Sequence, residues 1–203
     1  MKLANSKGIS DKEKLIIIDK AFKLVPTLKN TSKKRDTLFS ITYRYYINKE
    51  WKKFNIASNL LLRESIETKD STNIVKVYRF KANYLKKTEV FDSSFIYYLK
   101  AEKIYFKQND ELNLANILYN KGIVQYLVSD YIGAELSLFK AYSILKNSNE
   151  KDKLYGTLNQ LGLVYNELKE YDKAIFYHNK ALETVRDFKL QSDEYLKYLN
   201  IAY

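Results

Sequence analysis

The 203-residue chain contains no cysteine, a single proline, five glycines and a single histidine. Without cysteine there is no disulfide, no thiol nucleophile and no zinc–thiolate site, and the compartment is left open, because a helical protein needs no staples in either redox setting. So few glycines and prolines provide little turn punctuation for a sheet protein. No apolar run approaches the roughly 18 to 20 residues of a membrane span. The opening MKLANSKGIS lacks the apolar stretch of a signal peptide. Around His178 no Ser-His-Asp arrangement has support in the sequence, no HExxH or other metal-ligand spacing occurs, and the glycines match neither GxGxxG nor a P-loop. Glu167 and Glu170 flank a turn and read as solvated charges. No catalysis, cofactor or metal is expected.

The formal charge is +11, from 35 basic and 24 acidic residues. Only five of the basic residues are arginine, whereas readout of phosphates and base edges favours the arginine fork. The lysines lie all along the chain and read mainly as a solubilising surface. Neither a specific nucleic-acid partner nor membrane insertion is expected.

What the chain has instead is a period. Ala82, Gly122 and Gly162 share one phase, Ala101, Ala141 and Ala181 another, and Phe91, Tyr131 and Tyr171 a third, each at a spacing of 40 residues. A period of this length indicates stacked helix-turn-helix units, none of which buries its apolar face alone. In the stretch after Tyr155, Leu158, Leu161, Gly162 and Tyr165 form one helical stripe. Tyr171, Ala174 and Ala181 mark a second helix. The small residues allow close helix approach. One period upstream, Leu118, Gly122, Tyr131, Ala134 and Ala141 hold the same posts, with Lys121 and Gln125 where apolar residues are expected. The unit beginning at Arg35 departs most, with Phe54 where alanine is usual. Helix pairs are expected near 33–48/51–67, 71–87/91–107, 110–127/131–147 and 151–168/171–188, each helix about 25 Å long.

The pattern L-x2-L-G-x2-Y followed by spaced alanines resembles the tetratricopeptide repeat, usually 34 residues long. The resemblance covers nearly the whole chain as one repeat domain of full units at about 35–68, 75–108, 115–148 and 155–188. Half-units at 10–26 and 193–203 point to a fragment of a longer chain. Within the first half-unit, Ser10 or Asp11 is the expected N-cap, and Pro26 ends the helix. The implied fold is all-α: an α-solenoid of antiparallel helix-turn-helix repeats forming a right-handed superhelix.

The resemblance also implies a concave groove lined by first helices. Carried onto this chain, its positions fall on Phe39, Tyr43 and Tyr46 in the first full unit, and on Lys76, Arg79, Asn83, Lys86 and Lys87 in the second. The third unit contributes Asn116, Tyr119, Asn120, Ile123 and Tyr126, and the fourth Asn159, Gln160, Leu163 and Asn166. Asn120, Gln160 and Asn200 share one phase, an amide ladder able to pair with an extended peptide or to satisfy neighbouring helices. Arg79, Asn83 and Asn120 match three posts of the carboxylate clamp found in chaperone-binding members. The remaining two are Gly156 and Gln160, so the charge-assisted bonds of that clamp are missing. A simpler anion contact by Arg79 with Lys76 and Lys86 stays open. Most of the 19 tyrosines fall on packing phases. His178 sits inside a second helix, where a packed aromatic is usual.

The expected role is a protein- or peptide-binding module. The 40-residue spacing is similar to the extended repeats of bacterial signalling regulators, which implies the sensing part of such a protein; the alternative is a passive scaffold for assembly. The regulator analogy leans extracytoplasmic, and a cytoplasmic repeat receptor fits the same residues. Oligomeric state is not legible.

Overall fold

The computed structural model describes residues 10–187, and among these all regular structure is helical. The half-unit expected at 193–203, with Asn200, lies outside the described residues. Helix α1 spans Asp11–Leu24, followed by a 3-10 turn at Val25–Thr27, then α2 (Ser32–Ile47), α3 (Trp51–Glu67), α4 (Ser71–Lys87) and α5 (Phe91–Lys107). Next come α6 (Glu111–Leu127), α7 (Tyr131–Leu145), α8 (Lys151–Glu167) and α9 (Tyr171–Asp187). Helices α3, α4 and α5 have the bounds expected from the spacing alone. The chain divides into two compact units, 1–104 and 105–203, at a point within α5.

The helices start and stop where they do because one turn recurs every 20 residues. Lys49, Lys69, Glu89, Asn109, Ser129 and Lys169 are all left-handed, with φ between 52° and 62°. Each occupies the position just past a helix end where glycine is the common choice. The next residue closes a 6→1 bond back into the helix, as in Glu50 N to Tyr45 O at 2.9 Å and Asp130 N to Gln125 O at 2.9 Å. That same residue then starts the following helix. Asp70, Asp110 and Asp130 each accept a hydrogen bond from the backbone N–H three residues on, which satisfies one of the orphan donors of the new helix. Asn73 and Asn113 return the contact by donating to the capping carboxylates at 2.9 and 2.8 Å. Three-residue connections of this kind leave successive helices antiparallel. At the N-terminus Ser10 and Glu13 form a reciprocal capping box.

In the first unit the core is built from Ile18, Leu38, Ile41, Tyr45, Phe54, Ala57, Leu61, Val77 and Phe80. Two ion pairs are buried with it, Lys34 to Glu64 and Arg35 to Asp70, both at 2.7 Å. Burial works against the Asp70 carboxylate, yet hydrogen bonds from Arg35 and Asn73 hold its pKa below the usual value. Where α4 meets α5, the Ser94 hydroxyl donates to the Ala82 carbonyl at 2.8 Å, an approach that the small Ala82 permits.

The second unit packs Ala115, Ala134, Leu138, Leu158, Leu161, Tyr165, Ala174 and Ala181. Gly122 lies against the Leu138 side chain and Gly162 against the ring of His178, each closer than a methyl group would allow. The polar Gln125 is accommodated at an apolar post because both ends of its amide are hydrogen-bonded. Its Nε2 donates to Asp130 at 2.8 Å, and its Oε1 accepts from the Ser137 hydroxyl at 2.6 Å. No helix among the described residues is long and apolar enough to cross a membrane.

Candidate functional site

The first helices carry the residues at issue, and in the first unit these are α2 and α4. Their facing sides form an aromatic cluster. The Phe80 ring is approached by Phe39 at 5.8 Å, Tyr43 at 5.7 Å and Tyr46 at 5.0 Å between centroids. Tyr46 also meets Trp51 and Phe54, and Tyr84 packs on the same two residues. Most of these contacts are edge-on or tilted, the arrangement that ring quadrupoles favour. Phe54, standing where the repeat usually has alanine, is fully buried beneath the cluster. Tyr43 keeps 42% of its surface exposed, so the cluster reaches solvent.

Cations sit over these rings. Lys76 Nζ lies 4.8 Å from the Phe39 centroid, the Arg79 guanidinium 5.3 Å from Phe80 and Lys87 Nζ 5.0 Å from Tyr46. Such placement contributes about 0.5–1 kcal/mol each at exposed sites and fixes the charged heads at the surface. Helix α4 holds five basic residues, Lys76, Arg79, Lys81, Lys86 and Lys87, and no acid. Helix α2 has Lys33, Lys34, Arg35 and Arg44 against Asp36. By contrast α6, with Glu111 and Lys121, and α8, with Asp152 and Glu167 against Lys151 and Lys153, are each neutral overall. The positive excess is therefore greatest on α4, since two of the four cations of α2, Lys34 and Arg35, are neutralised in buried ion pairs. Burial, with Lys87 alongside, pushes the Lys86 ammonium down to about 8. Burial also lowers Lys81, which lies over the Tyr97 ring.

The remaining expected residues divide by what they touch. Asn83 accepts from the Tyr98 hydroxyl at 2.5 Å and so ties α4 to α5. In the second unit Tyr119 packs at Gly156 of α8, its hydroxyl 3.3 Å from where a Cβ would stand. The Asn120 amide donates to the carbonyl and side chain of Asn116, one turn earlier in α6. Asn159 shares a 3.0 Å hydrogen bond with His178 Nδ1, and burial holds that imidazole below its usual pKa. Tyr126 donates to Glu167 at 3.3 Å and packs on Tyr131; burial and then Glu167 raise its pKa. Ile123 and Gln160 are half-buried. Of the two groups, only the first-unit residues are gathered into one charged and aromatic surface.

Sequence reasoning missed Phe80, the hub of that surface. The signal was present, since Phe80 lies 40 residues before Asn120 and 80 before Gln160 in the same phase. Among the described residues no group of three His, Asp or Glu side chains is arranged to hold a metal ion.

Comparison with known proteins fixes the fold. No family model matches the chain, and no curated protein matches it in sequence. Solved structures do match. The chain is similar to BtubC from P. vanneervenii, with a TM-score of 0.78 at 19% identity over 90% of this chain and 76% of that one. It is similar to the apo form of RapI, with a TM-score of 0.84 at 22% identity over 93% of this chain and 52% of that one. Aspartyl phosphate phosphatase F from Bacillus subtilis matches at 0.78 and 17% identity, over 88% and 47%. A kinesin light chain described as having TPR-like repeats also matches, at 0.69 and 11% identity. The fold is that of tetratricopeptide-like helical repeat proteins, and the chain spans about half the length of RapI and of the phosphatase.

Proposed function

We propose that the chain is a partner-binding repeat module and that the α2–α4 surface of its first unit captures an acidic segment carrying apolar side chains. The observation that supports this reading is the set of three cations, Lys76, Arg79 and Lys87, held over Phe39, Phe80 and Tyr46. A carboxylate arriving there meets charges already positioned over rings, and an apolar neighbour in the partner meets the exposed part of Tyr43. Rigid rings present contact area at low entropy cost. The absence of any acid on α4 favours anionic over cationic partners by long-range steering as well as by contact. The solenoid fold shared with the structural neighbours suits a module of this kind.

The test is a selection of random displayed peptides on the intact chain. Recovered ligands are expected to be rich in Asp and Glu with an interspersed large apolar residue, and to lose binding to a Lys76→Glu/Arg79→Glu variant. Recovery of neutral or basic ligands, or of ligands indifferent to the variant, contradicts the proposal.

We further infer a sensing role, as the ligand-responsive part of a bacterial signalling regulator, in preference to a passive scaffold. The motivation is that the cationic helix α4 packs on α3 and α5 through small residues and tyrosine hydroxyls, so a ligand on its outer side bears directly on interhelical spacing. A sensor requires different affinity for two conformations. Hydrogen exchange of the intact chain with and without a selected peptide separates the two roles. Altered protection beyond the contacting helices supports sensing, and protection confined to them supports the scaffold.

A further inference from the structure

Tyr78, Lys81 and Ala82 lie at i, i+3 and i+4 on α4 and so share one side of that helix, the side on which the Ala82 carbonyl accepts from the Ser94 hydroxyl of α5. Ser94, Tyr97 and Lys100 form the facing stripe on α5. Lys81 is out of character there. The same post is Ile41 one repeat earlier and Leu161 two repeats later, both fully buried. Lys81 is only 6% exposed, yet its ammonium forms no hydrogen bond or ion pair with the described residues. It lies 5.7 Å from the Tyr97 ring centroid. Lys100 Nζ lies 5.3 Å from that same centroid and 5.7 Å from that of Tyr78, so the two charges cannot be farther apart than their two distances to Tyr97 laid end to end. The tyrosine rings are 5.8 Å apart, and neither hydroxyl is hydrogen-bonded to a described residue. Burial and then the Tyr97 phenol raise the Tyr78 pKa.

From this arrangement we propose that Lys81, Lys100 and the hydroxyls of Tyr78 and Tyr97 form a binding site for a small tetrahedral oxyanion: phosphate, free or as the head of a small phosphorylated metabolite. Charge selects the sign of the ligand. A buried ammonium without an acceptor carries a desolvation cost that a bound anion offsets. Burial lowers the pKa of Lys81, with no carboxylate alongside to raise it. Helix α4 has no acid, and the acids of α5, Asp92 and Glu102, lie off the Tyr97–Lys100 stripe. Two cations that share one ring repel each other, and a doubly charged anion relieves both. Two ammonium groups and two phenols are all donors, which suits a group that only accepts and has oxygens in several directions. Enclosure selects the size. Lys81 lies too deep for a macromolecular surface to reach, whereas Lys100 is exposed and its flexible stem closes on the ligand from outside. The helical phase of Tyr78 and Lys81 puts this site on the opposite side of α4 from Lys76, Arg79 and Lys87, so it is separate from the surface proposed for the acidic partner.

Isothermal titration calorimetry of the intact chain at neutral pH and constant ionic strength tests this, with inorganic phosphate and methyl phosphate as probes and acetate as the reference anion. Saturable binding of phosphate at one site per chain is expected, with a Kd of about 0.1–1 mM and with acetate weaker by about tenfold or more. The tighter of the two phosphates identifies the source, free ion or phosphomonoester. Lys81→Leu gives the post the residue found at Leu161; its melting temperature is expected to match or exceed that of the parent, and its phosphate affinity to fall by about tenfold or more. Tyr97→Phe, which removes a hydroxyl alone, is expected to weaken phosphate by about two- to tenfold. Lys52→Ala removes the same charge at an exposed position of α3 and leaves the affinity unchanged. Phosphate binding that does not saturate below about 10 mM overturns the proposal. So does acetate binding as tight as phosphate, phosphate binding that survives both Lys81→Leu and Tyr97→Phe, or an equal loss in Lys52→Ala.

Discussion

The imidazole of His178 lies against Gly162: a Cβ at Gly162 would come within 2.5 Å of Cε1 and 2.6 Å of Nε2. Both residues are helical, so α8 and α9 approach at a spacing that only a hydrogen at position 162 permits. The ring is held in place from the α8 side by Asn159 at 3.0 Å.

Gly162→Ala is therefore expected to destabilise the chain despite alanine's better helix propensity. Overpacking costs about 1–3 kcal/mol, against which the propensity gain is about 1 kcal/mol. Gly156→Ala provides the contrast. Its Cβ would stand 3.3 Å from the Tyr119 hydroxyl, and the change is expected to be neutral or to stabilise by up to about 1 kcal/mol. Urea denaturation of both variants checks the difference. Combining Gly162→Ala with His178→Ala should recover part of the loss, read as coupling in a double-mutant cycle.

The left-handed turn residues predict the opposite sign. Lys169 has φ 62° and Glu89 has φ 60°, a conformation that costs a side chain about 1 kcal/mol relative to glycine. Lys169→Gly and Glu89→Gly are each expected to raise stability by about 0.5–1 kcal/mol. A fall in the denaturation midpoint of either variant would contradict the reading of these turns as strained caps.

Those turns also explain how much was legible in advance. The bounds of α3, α4 and α5 were readable because a stop recurs every 20 residues and small residues such as Ala82 and Gly122 mark the close approaches. The connection at 146–150 was less so: α7 ends at Leu145, with Lys146 in an ordinary right-handed conformation, earlier than the period alone suggests. Individual partners were harder to read than phases. Asn120 finds Asn116 because an amide on a helix meets its own preceding turn first. Asn83 serves Tyr98, a residue 15 positions away. The concentration of positive charge on α4 emerges only once helix bounds assign each lysine to an element.

Buried ion pairs in the first unit predict large single-site losses. Lys34 and Glu64 are only 5% and 7% exposed in their side chains. Lys34→Met alone leaves the Glu64 carboxylate buried without its cation, at a cost of about 3–5 kcal/mol. Lys34→Met together with Glu64→Leu is expected to be much closer to the parent. Equal losses in the single and double variants would contradict this account of the pair.

Stability is expected to fall at both ends of the pH scale, for separate reasons. Burial holds His178 below its ordinary pKa of 6.5, so the unfolded chain takes up that proton first and stability declines as pH drops below about 6.5. Burial raises Tyr45 and Tyr165 above the ordinary value of 10.0, helped by their hydrogen bonds to Asp19 and Glu135. The unfolded chain then loses those protons first, and stability declines as pH rises past about 10. Each such tyrosine adds a slope of up to about 1.4 kcal/mol per pH unit. Tyr45→Phe should flatten the alkaline limb and His178→Phe the acidic one, both read from urea midpoints. Unchanged slopes would assign the pH dependence to other groups.

The binding proposal is open to direct test because the single tryptophan, Trp51, lies within the aromatic cluster, 5.8 Å from Tyr46 and 5.1 Å from Tyr84. Titrating the chain with a selected acidic peptide while following Trp51 emission reports on that surface. A saturable change that weakens with salt and disappears in Lys76→Glu/Arg79→Glu is expected. Binding shown by calorimetry that leaves Trp51 emission unaltered, or that persists in the charge-reversed variant, would contradict the assignment of this surface.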